Sequence, residues 1–254
     1  MRLSAKRRDA QTVIGDLRQE GSLKALFPRV NDPALNAVFL NTAGGLTGGD
    51  KMDLSITAGE SAKVVVSSQA AERAYRAQPG QVARMDVALR AHHDARINWL
   101  PQETILFDEA ALNRRMLIDL TGNAEALVVE PVIFGRVAMG EVVRKLHFTD
   151  QWQVRRDGKL VFADAVRLQG DALNLMARQG IGDGAGAMAT VLLAGPRAAG
   201  LADLALPINA GCSLIADDVL LFRFLADDGF TLRRDLIPVV ETLLGAPLPR
   251  VWRL

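Results

Sequence analysis

Apolar and polar residues alternate along much of this chain, and alternation is the periodicity of half-buried β-strands. Met52, Leu54 and Ile56 are separated by polar residues, and the stretch from Met85 to Leu89 repeats the pattern. Successive side chains of a strand point to opposite faces, so each stretch predicts one buried and one solvated face. Four further runs are β-branched or wholly apolar and predict more buried strands: AKVVVSS, EALVVEPVIFG, AMATVLLAG and VLLFRFL.

Turn and helix signals interrupt this strand pattern at a few places. In QWQVRRDGKLVFAD, Asp157 and Gly158 separate two alternating runs, which predicts a tight hairpin. DLIPVVETLLG has apolar residues at helical spacing, so we expect a helix with Asp235 as N-cap, Pro238 in the first turn and Gly245 at the end. The segment QAAERAYRA fits either a helix or a strand.

The order of these elements predicts a mainly β protein with a few short helices. If the chain had two domains, the boundary would be expected at the glycine-rich stretch 179–186. Strand patterns resume on both sides of it, so one domain over residues 1–254 is favoured over two.

Composition and charge exclude several classes of function. The chain is 49% hydrophobic and 23% charged, which is typical of a globular protein and not of a disordered one. A net charge of +1 supplies no field that would attract nucleic acid or an anionic membrane, and adjacent pairs such as Arg114 and Arg115 are expected at the surface. The start of the chain lacks a secretory signal, and a single cysteine, Cys212, fits a reducing compartment, so we expect a cytoplasmic protein without membrane spans.

Two familiar site types fit the sequence poorly. GIGDGAGA has the glycine spacing of a dinucleotide loop, but a strand-like run follows it where that motif requires a helix. The three histidines, His92, His93 and His147, show no metal-ligand spacing, and Cys212 is expected to be a small buried residue.

Carboxylates in apolar or glycine-rich surroundings remain as candidates. Asp50 ends the glycine-rich loop NTAGGLTGGD, and Glu130 lies between valines and a proline in ALVVEPVIFG. Glu130 either faces solvent by strand alternation or faces an internal cavity, where a buried acid needs a partner or a proton. Glu103 follows a proline in WLPQETILF and fits a structural turn or a functional loop. Because acids such as Asp50 and Glu103 could act in acid–base hydrolysis, a carboxylate-dependent hydrolase is an alternative hypothesis.

Six motifs in a fixed order give the chain its resemblance to a known family. NTAGGLTGGD, SSQAAERAYR, NWLPQETILFD, FGRVAMGE, RRDGKLVFAD and PRVWRL occur in the order found in the urease accessory protein UreD, also called UreH. The resemblance covers nearly the whole chain. It implies an elongated, strand-rich fold and a non-enzymatic subunit that works with UreF and the GTPase UreG to load nickel into apo-urease. GTP would be used by UreG, nickel would be in transit, and this chain would hold no cofactor stably.

The resemblance also suggests which residues handle nickel and partners. Carboxylates bind nickel more loosely than imidazole or thiolate does, so acids along an internal polar passage would let the ion move on. The passage candidates are Asp50, Glu72, Glu103, Glu130 and Glu141. The partner-binding candidates, each also interpretable as structural, are Tyr75, Arg76, Pro249, Arg250 and Trp252. A homodimer of the UreD–UreF complex and an adaptor that bridges UreF and urease without conducting metal are further hypotheses.

Overall fold

The strands of this protein form two sheets that face each other. The structure is a computed structural model that describes residues 1–253, apart from the side chain of Val137; Leu254, the last residue of the predicted domain, lies outside the described residues. The first strands are β1 (Arg2–Arg8), β2 (Gln11–Arg18), β3 (Leu23–Leu26), β4 (Leu35–Asn41), β5 (Lys51–Ala58), β6 (Lys63–Ser68), β7 (Glu72–Ala74), β8 (Ala83–Ala91) and β9 (Arg96–Leu100). They are followed by β10 (Thr104–Leu106), β11 (Ala111–Leu120), β12 (Glu125–Phe134), β13 (Lys145–Arg156), β14 (Lys159–Asp171), β15 (Ala187–Ala194), β16 (Ala210–Ala216) and β17 (Val219–Ala226).

Helices are few. Two α-helices are described, α1 (Ala172–Met176) and α2 (Gly229–Leu244), and three 3-10 turns lie at Val137–Met139, Ala199–Leu201 and Arg250–Arg253. The prediction of a mainly β fold is confirmed. One detail differs, because α2 has 16 residues and is not short.

The central part of the chain winds as a coil whose successive strands belong alternately to the two sheets. The seven-stranded sheet has the order β14-β13-β11-β8-β5-β1-β2, and the ten-stranded sheet runs β16-β17-β15-β12-β9-β6-β4-β3, with β10 paired to the end of β12 and β7 paired to β10. Strands β4, β6, β9 and β12 pair in parallel in the large sheet, while β5, β8, β11 and β13 pair in parallel in the small one. Each turn of the coil thus contributes one strand to each sheet, as in a β-solenoid, and segments far apart in sequence are stacked.

Two apolar layers hold this arrangement together. The first lies between the sheets and contains the predicted alternating residues Met52, Leu54 and Ile56, all at most 3% exposed. The second lies between the large sheet and α2. Strand β12 has a layer on each side, so nearly all of its residues are buried and alternation cannot be seen in its sequence.

The predicted hairpin is confirmed. Strands β13 and β14 pair in antiparallel register through Arg156 and Lys159, with Asp157 and Gly158 as the two turn residues. Both turn residues have positive φ, 49° and 79°, which is the geometry that favours an Asp-Gly turn.

The helix near the end of the chain was predicted too short. Its N-cap is Asp228, which accepts a hydrogen bond from the Thr231 amide at 2.7 Å, and not Asp235. The apolar face extends one turn earlier, through Leu232, so the packing surface starts before the predicted cap. Pro238 therefore lies inside the helix, whereas Gly245 ends it at φ 74° as predicted.

The remaining local predictions have mixed outcomes. QAAERAYRA forms a strand, β7, and the strand expected after the glycine-rich stretch 179–186 is present as β15. Cys212 is only partly buried, and its thiol donates to the Ala202 carbonyl at 3.2 Å. Within residues 1–253, no helix has the length and apolar character needed to cross a bilayer.

Candidate functional site

Four of the sequence motifs meet along one edge of the coil. Leu46 forms a bridge with Ala74, β7 pairs with β10, and β10 pairs with the end of β12. We call this set of residues 41–50, 72–76, 103–108 and 134–141 the motif edge. Motifs separated by dozens of residues become neighbours there because each belongs to a successive turn of the coil.

The glycine-rich loop packs against Tyr75. A Cβ on Gly45 would lie 2.3 Å from the Tyr75 Cε2 atom and 2.6 Å from the Arg73 carbonyl oxygen, and Gly45 has φ 158°. The Tyr75 hydroxyl donates to the Gly44 carbonyl at 3.1 Å, and its ring meets that of Phe107 edge-on, with centroids 5.0 Å apart. Only glycine allows so close an approach, so this part of the loop is fixed and not merely flexible.

Two of the predicted passage acids, Asp50 and Glu72, lie at the first turns of the motif edge. Asp50 is exposed, borders an open groove of about 1370 Å³, and accepts a hydrogen bond from the Thr47 amide at 2.8 Å. Glu72 is partly buried and accepts a hydrogen bond from the Asn41 side chain at 3.1 Å. Burial raises the pKa of Glu72, which the bond from Asn41 only partly offsets.

Glu141 lies at the last turn of the motif edge and is held by an ion pair. Its Oε2 atom is 2.8 Å from Arg136 Nε and also accepts from the Arg136 amide at 3.0 Å, while Oε1 accepts from the Asp108 amide at 3.2 Å. The hydrogen bond from the Arg136 side chain is the main cause that lowers the pKa of Glu141. The carboxylate thus closes the 135–141 loop onto the preceding turn.

Glu103 is tied to the end of the chain. It forms an ion pair with Arg233 at 2.9 Å, and the same guanidinium donates to Gln102 Oε1 at 2.7 Å and to the Trp252 carbonyl at 2.6 Å. Arg233 also lies over the Trp252 ring, 5.1 Å from its centroid. Glu103 therefore helps to dock α2 and the final turn on the large sheet. Asp50 and Glu103, the acids that prompted the hydrolase alternative, are thus held by different partners.

The five partner-binding candidates differ in accessibility. Arg76 is largely exposed and pairs with Glu109 at 2.6 Å, and Arg250 is also exposed. Tyr75 and Pro249 are partly buried. Trp252 is only 2% exposed, so its side chain packs within this chain.

A second polar set lies between the two sheets. Arg114 donates to Glu130 and, at 2.5 Å, to Asp150. The Trp99 indole donates to Glu130 at 2.7 Å, and the Trp152 indole donates to Asp150 at 3.0 Å. We call Arg114, Glu130 and Asp150 the core cluster; none of the three is more than 4% exposed.

The core cluster corrects one sequence prediction and decides another. Arg114 is not at the surface, because Leu112, Met116 and Ile118 share its face of β11 and pack between the sheets. The alternation of apolar residues in β11 is the sequence signal that places Arg114 on the inward face. The same alternation places the neighbouring Arg115 on the exposed face. Glu130 does not face solvent: it points from β12 toward the small sheet.

Electrostatics make the core cluster unusual. Two carboxylates share one guanidinium, so the set carries a formal charge of −1 if both acids are ionised. Burial is the main cause that raises the pKa of Glu130, and the neighbouring Asp150 charge adds to it against the attraction of Arg114. Arg114 Nε has no hydrogen-bond partner among the described residues. The cluster is therefore a buried polar site with two acids and one base inside an apolar sandwich.

The predicted passage acids occupy three different settings. Asp50, Glu72 and Glu141 bond within the motif edge, Glu103 belongs to the motif edge but pairs with Arg233 near the end of the chain, and Glu130 lies in the core cluster. Across residues 1–253, no group of three or more His, Cys, Asp and Glu side chains is placed to hold a metal ion. Asp150, Arg114 and the two tryptophans were not predicted, since no local pattern reports a contact between sheets.

Comparison with known proteins agrees with the order of the motifs. The family described as "UreD urease accessory protein" matches residues 1–253. Proteins named "Urease accessory protein UreD" are similar along their length: that of Roseobacter denitrificans is 46% identical, with 100% of this chain and 93% of the relative covered, and that of Rhizobium etli is 47% identical, with 99% and 93% covered. The Ruegeria sp. protein of that name is also 47% identical, with 99% and 89% covered. This chain belongs to the UreD family of urease accessory proteins.

Proposed function

We propose that this protein, together with UreF and the GTPase UreG, delivers nickel to apo-urease. Membership of a urease accessory family supports a role in urease maturation, and the partners follow from the resemblance to that family. In this proposal the chain is a non-enzymatic, cytoplasmic subunit, nickel is its cargo, and GTP is consumed by UreG.

The core cluster is the observation that carries the passage part of the proposal. A divalent cation that enters between the sheets would meet Glu130 and Asp150, whose combined charge exceeds that of Arg114. Carboxylate oxygens exchange nickel more readily than imidazole or thiolate does, so such a contact would be brief.

The test compares two buried acids of the same strand. Glu130→Gln removes a carboxylate between the sheets, while Glu125→Gln removes one that is 6% exposed and paired with Arg197 elsewhere on β12. We expect both variants to co-purify with UreF and urease. Nickel content and activity of urease should fall roughly tenfold or more for Glu130→Gln only, the scale of effect seen when a residue supporting a metal is lost. Equal urease activation by the two variants contradicts a passage through the core cluster.

A second candidate function is an adaptor that bridges UreF and urease without conducting metal. It is favoured by the contacts of Asp50, Glu103 and Glu141, each of which stabilises a loop or the end of the chain. Under the passage proposal, Asp50→Ala leaves the complex assembled but lowers nickel transfer. Under the adaptor proposal, assembly and transfer change together.

A further inference from the structure

A small polar groove lies on the outer face of the small sheet, on the side away from the core cluster. It has a volume of about 430 Å³, and the charged side chains that face it are Arg84, Asp86, Arg115 and Arg167. Arg114 also borders the groove, but its guanidinium lies in the core cluster on the other face. Three arginines thus accompany one acid. An excess of arginine in one groove attracts anions.

The pairing register places the donors of this groove side by side. In one row across four strands, Arg84 lies opposite Asn113, Asn113 opposite Thr149, and Thr149 opposite Arg167. Neighbouring strands are about 4.8 Å apart, so the Cα atoms of Arg84 and Arg167 are separated by about 14 Å. Two long side chains at that separation leave room between them for a small ligand.

Asp86 orients two of the arginines without occupying all of their donors. Its Oδ1 atom accepts from Arg115 Nε at 3.1 Å, and its Oδ2 atom accepts from Arg84 Nε. Among residues 1–253, neither guanidinium donates a further hydrogen bond to Asp86 or another acid through its Nη atoms. The two planar groups are therefore positioned with free donors, which is the arrangement that binds oxyanions.

Asn113 adds an oriented neutral donor. Its Oδ1 atom accepts from the Thr149 hydroxyl at 2.6 Å and lies 3.1 Å from His147 Nε2. Both contacts hold the amide oxygen, so the amide nitrogen is turned away from them and can donate to a ligand.

The third arginine of the groove, Arg167, has no counter-charge. It is exposed on β14, and no acid of residues 1–253 forms an ion pair with it. Its guanidinium is available to an anion from the side of the groove opposite Arg84.

The lining of the groove favours a small and wholly polar ligand. Among the described residues that line it, none is aliphatic and none is Phe, Tyr or Trp. Pockets that hold rings or acyl chains are lined mainly by apolar and aromatic side chains, so a nucleotide base or a lipid tail would find no contact here. An anion without an apolar part fits both the charge and the volume.

We propose that this groove binds a small multivalent oxyanion, of the class of inorganic phosphate and small polycarboxylates. Arg84 and Arg115 contact the ligand through their Nη groups, Arg167 contacts it from the opposite side, and Asn113 donates from its amide. The groove and the core cluster lie on opposite faces of the small sheet, so the site is independent of nickel delivery and is tested without urease.

The first experiment compares three anions by isothermal titration calorimetry of the full chain at neutral pH and fixed ionic strength. The probes are sodium phosphate, citrate and acetate. We expect phosphate or citrate to bind at least about tenfold more tightly than acetate, because a multivalent anion contacts several arginines at once. The tighter of the two identifies the class of the ligand. Binding of both that is no tighter than that of acetate overturns the proposal.

A second experiment removes the arginine that has no counter-charge. Arg167→Gln should weaken binding of the preferred anion by about tenfold, the loss expected for one charge-assisted hydrogen bond. The matched control is Arg155→Gln, because Arg155 is also exposed on the small sheet but does not line the groove. It should bind the anion as the wild type does. Equal losses in the two variants overturn the proposal, since a diffuse positive surface would then explain the binding.

A third experiment changes no charge. Asn113→Ala should weaken binding by about threefold, because it removes the neutral donor. Gln153→Ala is the control, since Gln153 is exposed on β13 outside the groove. Wild-type affinity in Asn113→Ala contradicts a site built from oriented donors.

Discussion

The core cluster and the motif edge both contain acids that stand out in the sequence, yet the two regions use them differently. Glu130 shares Arg114 with Asp150, and all three side chains are buried, whereas Asp50 and Glu141 stabilise loops that remain partly in water. Charges in the core cluster depend on one another, because each loses its water and must be compensated by a neighbour. Charges at the motif edge are screened and can be removed one at a time. Burial, not the local sequence, decides how much each acid matters.

The largest effect should come from removing the shared cation. We predict that Arg114→Met destabilises the fold by about 3–5 kcal/mol, because two carboxylates are left buried without a counter-charge. Arg115→Met changes the neighbouring, exposed arginine that pairs with Asp86 and should cost about 1 kcal/mol or less. Urea unfolding followed by tryptophan fluorescence measures both. Similar losses of unfolding free energy in the two variants would contradict the inference that the buried face of β11 contributes more stability than the exposed face.

A rigid contact at the motif edge should give the next largest effect. Gly45→Ala forces a Cβ into Tyr75 and the Arg73 carbonyl and should cost roughly 2–3 kcal/mol through strain and overpacking. Gly200→Ala is the control, since no atom lies within 4 Å of the added Cβ and φ there is not in the left-handed region. Thermal unfolding compares the two. If Gly45→Ala is as stable as the control, the loop is softer than its packing indicates.

The pH dependence of stability distinguishes the core cluster in another way. Because the pKa of Glu130 is raised above the ordinary value of about 4.3 for Glu, its stabilising contribution is complete below that value and is lost as pH rises through the raised one. Glu130→Gln should cost about 1–2 kcal/mol at low pH by weakening its bond with Arg114. The difference from wild type should shrink as pH rises.

Unfolding free energies of wild type and Glu130→Gln at several pH values between acid and neutral measure this trend. Glu125→Gln serves as the control on the same strand. A gap between wild type and Glu130→Gln that widens with pH would show that the carboxylate is stabilised in its charged form.

The smallest effect is expected at the exposed end of the motif edge. Asp50→Ala removes one hydrogen bond to the Thr47 amide in water and should cost about 1 kcal/mol or less. Thermal unfolding again measures the change. A loss comparable to that of Arg114→Met would mean that Asp50 organises far more of the loop than its single contact suggests.

Local sequence predicted the elements that depend on local geometry. Alternation located β5 and β8, the Asp157–Gly158 pair located a hairpin, and Gly245 marked the end of α2. It failed where packing extends an element, as at the start of α2, whose apolar face continues to Leu232. For the candidate site, the sequence marked Glu130 as unusual but gave no partner, since Arg114 and Asp150 reach it from the other sheet.

The sequence alone determined that the chain is mainly β, that acids rather than histidines and cysteines stand out in its motifs, and that those motifs follow the order of one family. Turn chemistry and side-chain alternation act within a few residues, so they can be read from the chain directly. The tertiary structure decided which acid is buried, which arginine compensates it and which donors meet on the outer face of the small sheet. These depend on which strands become neighbours in the coil, a long-range outcome of burying apolar surface that no single segment encodes.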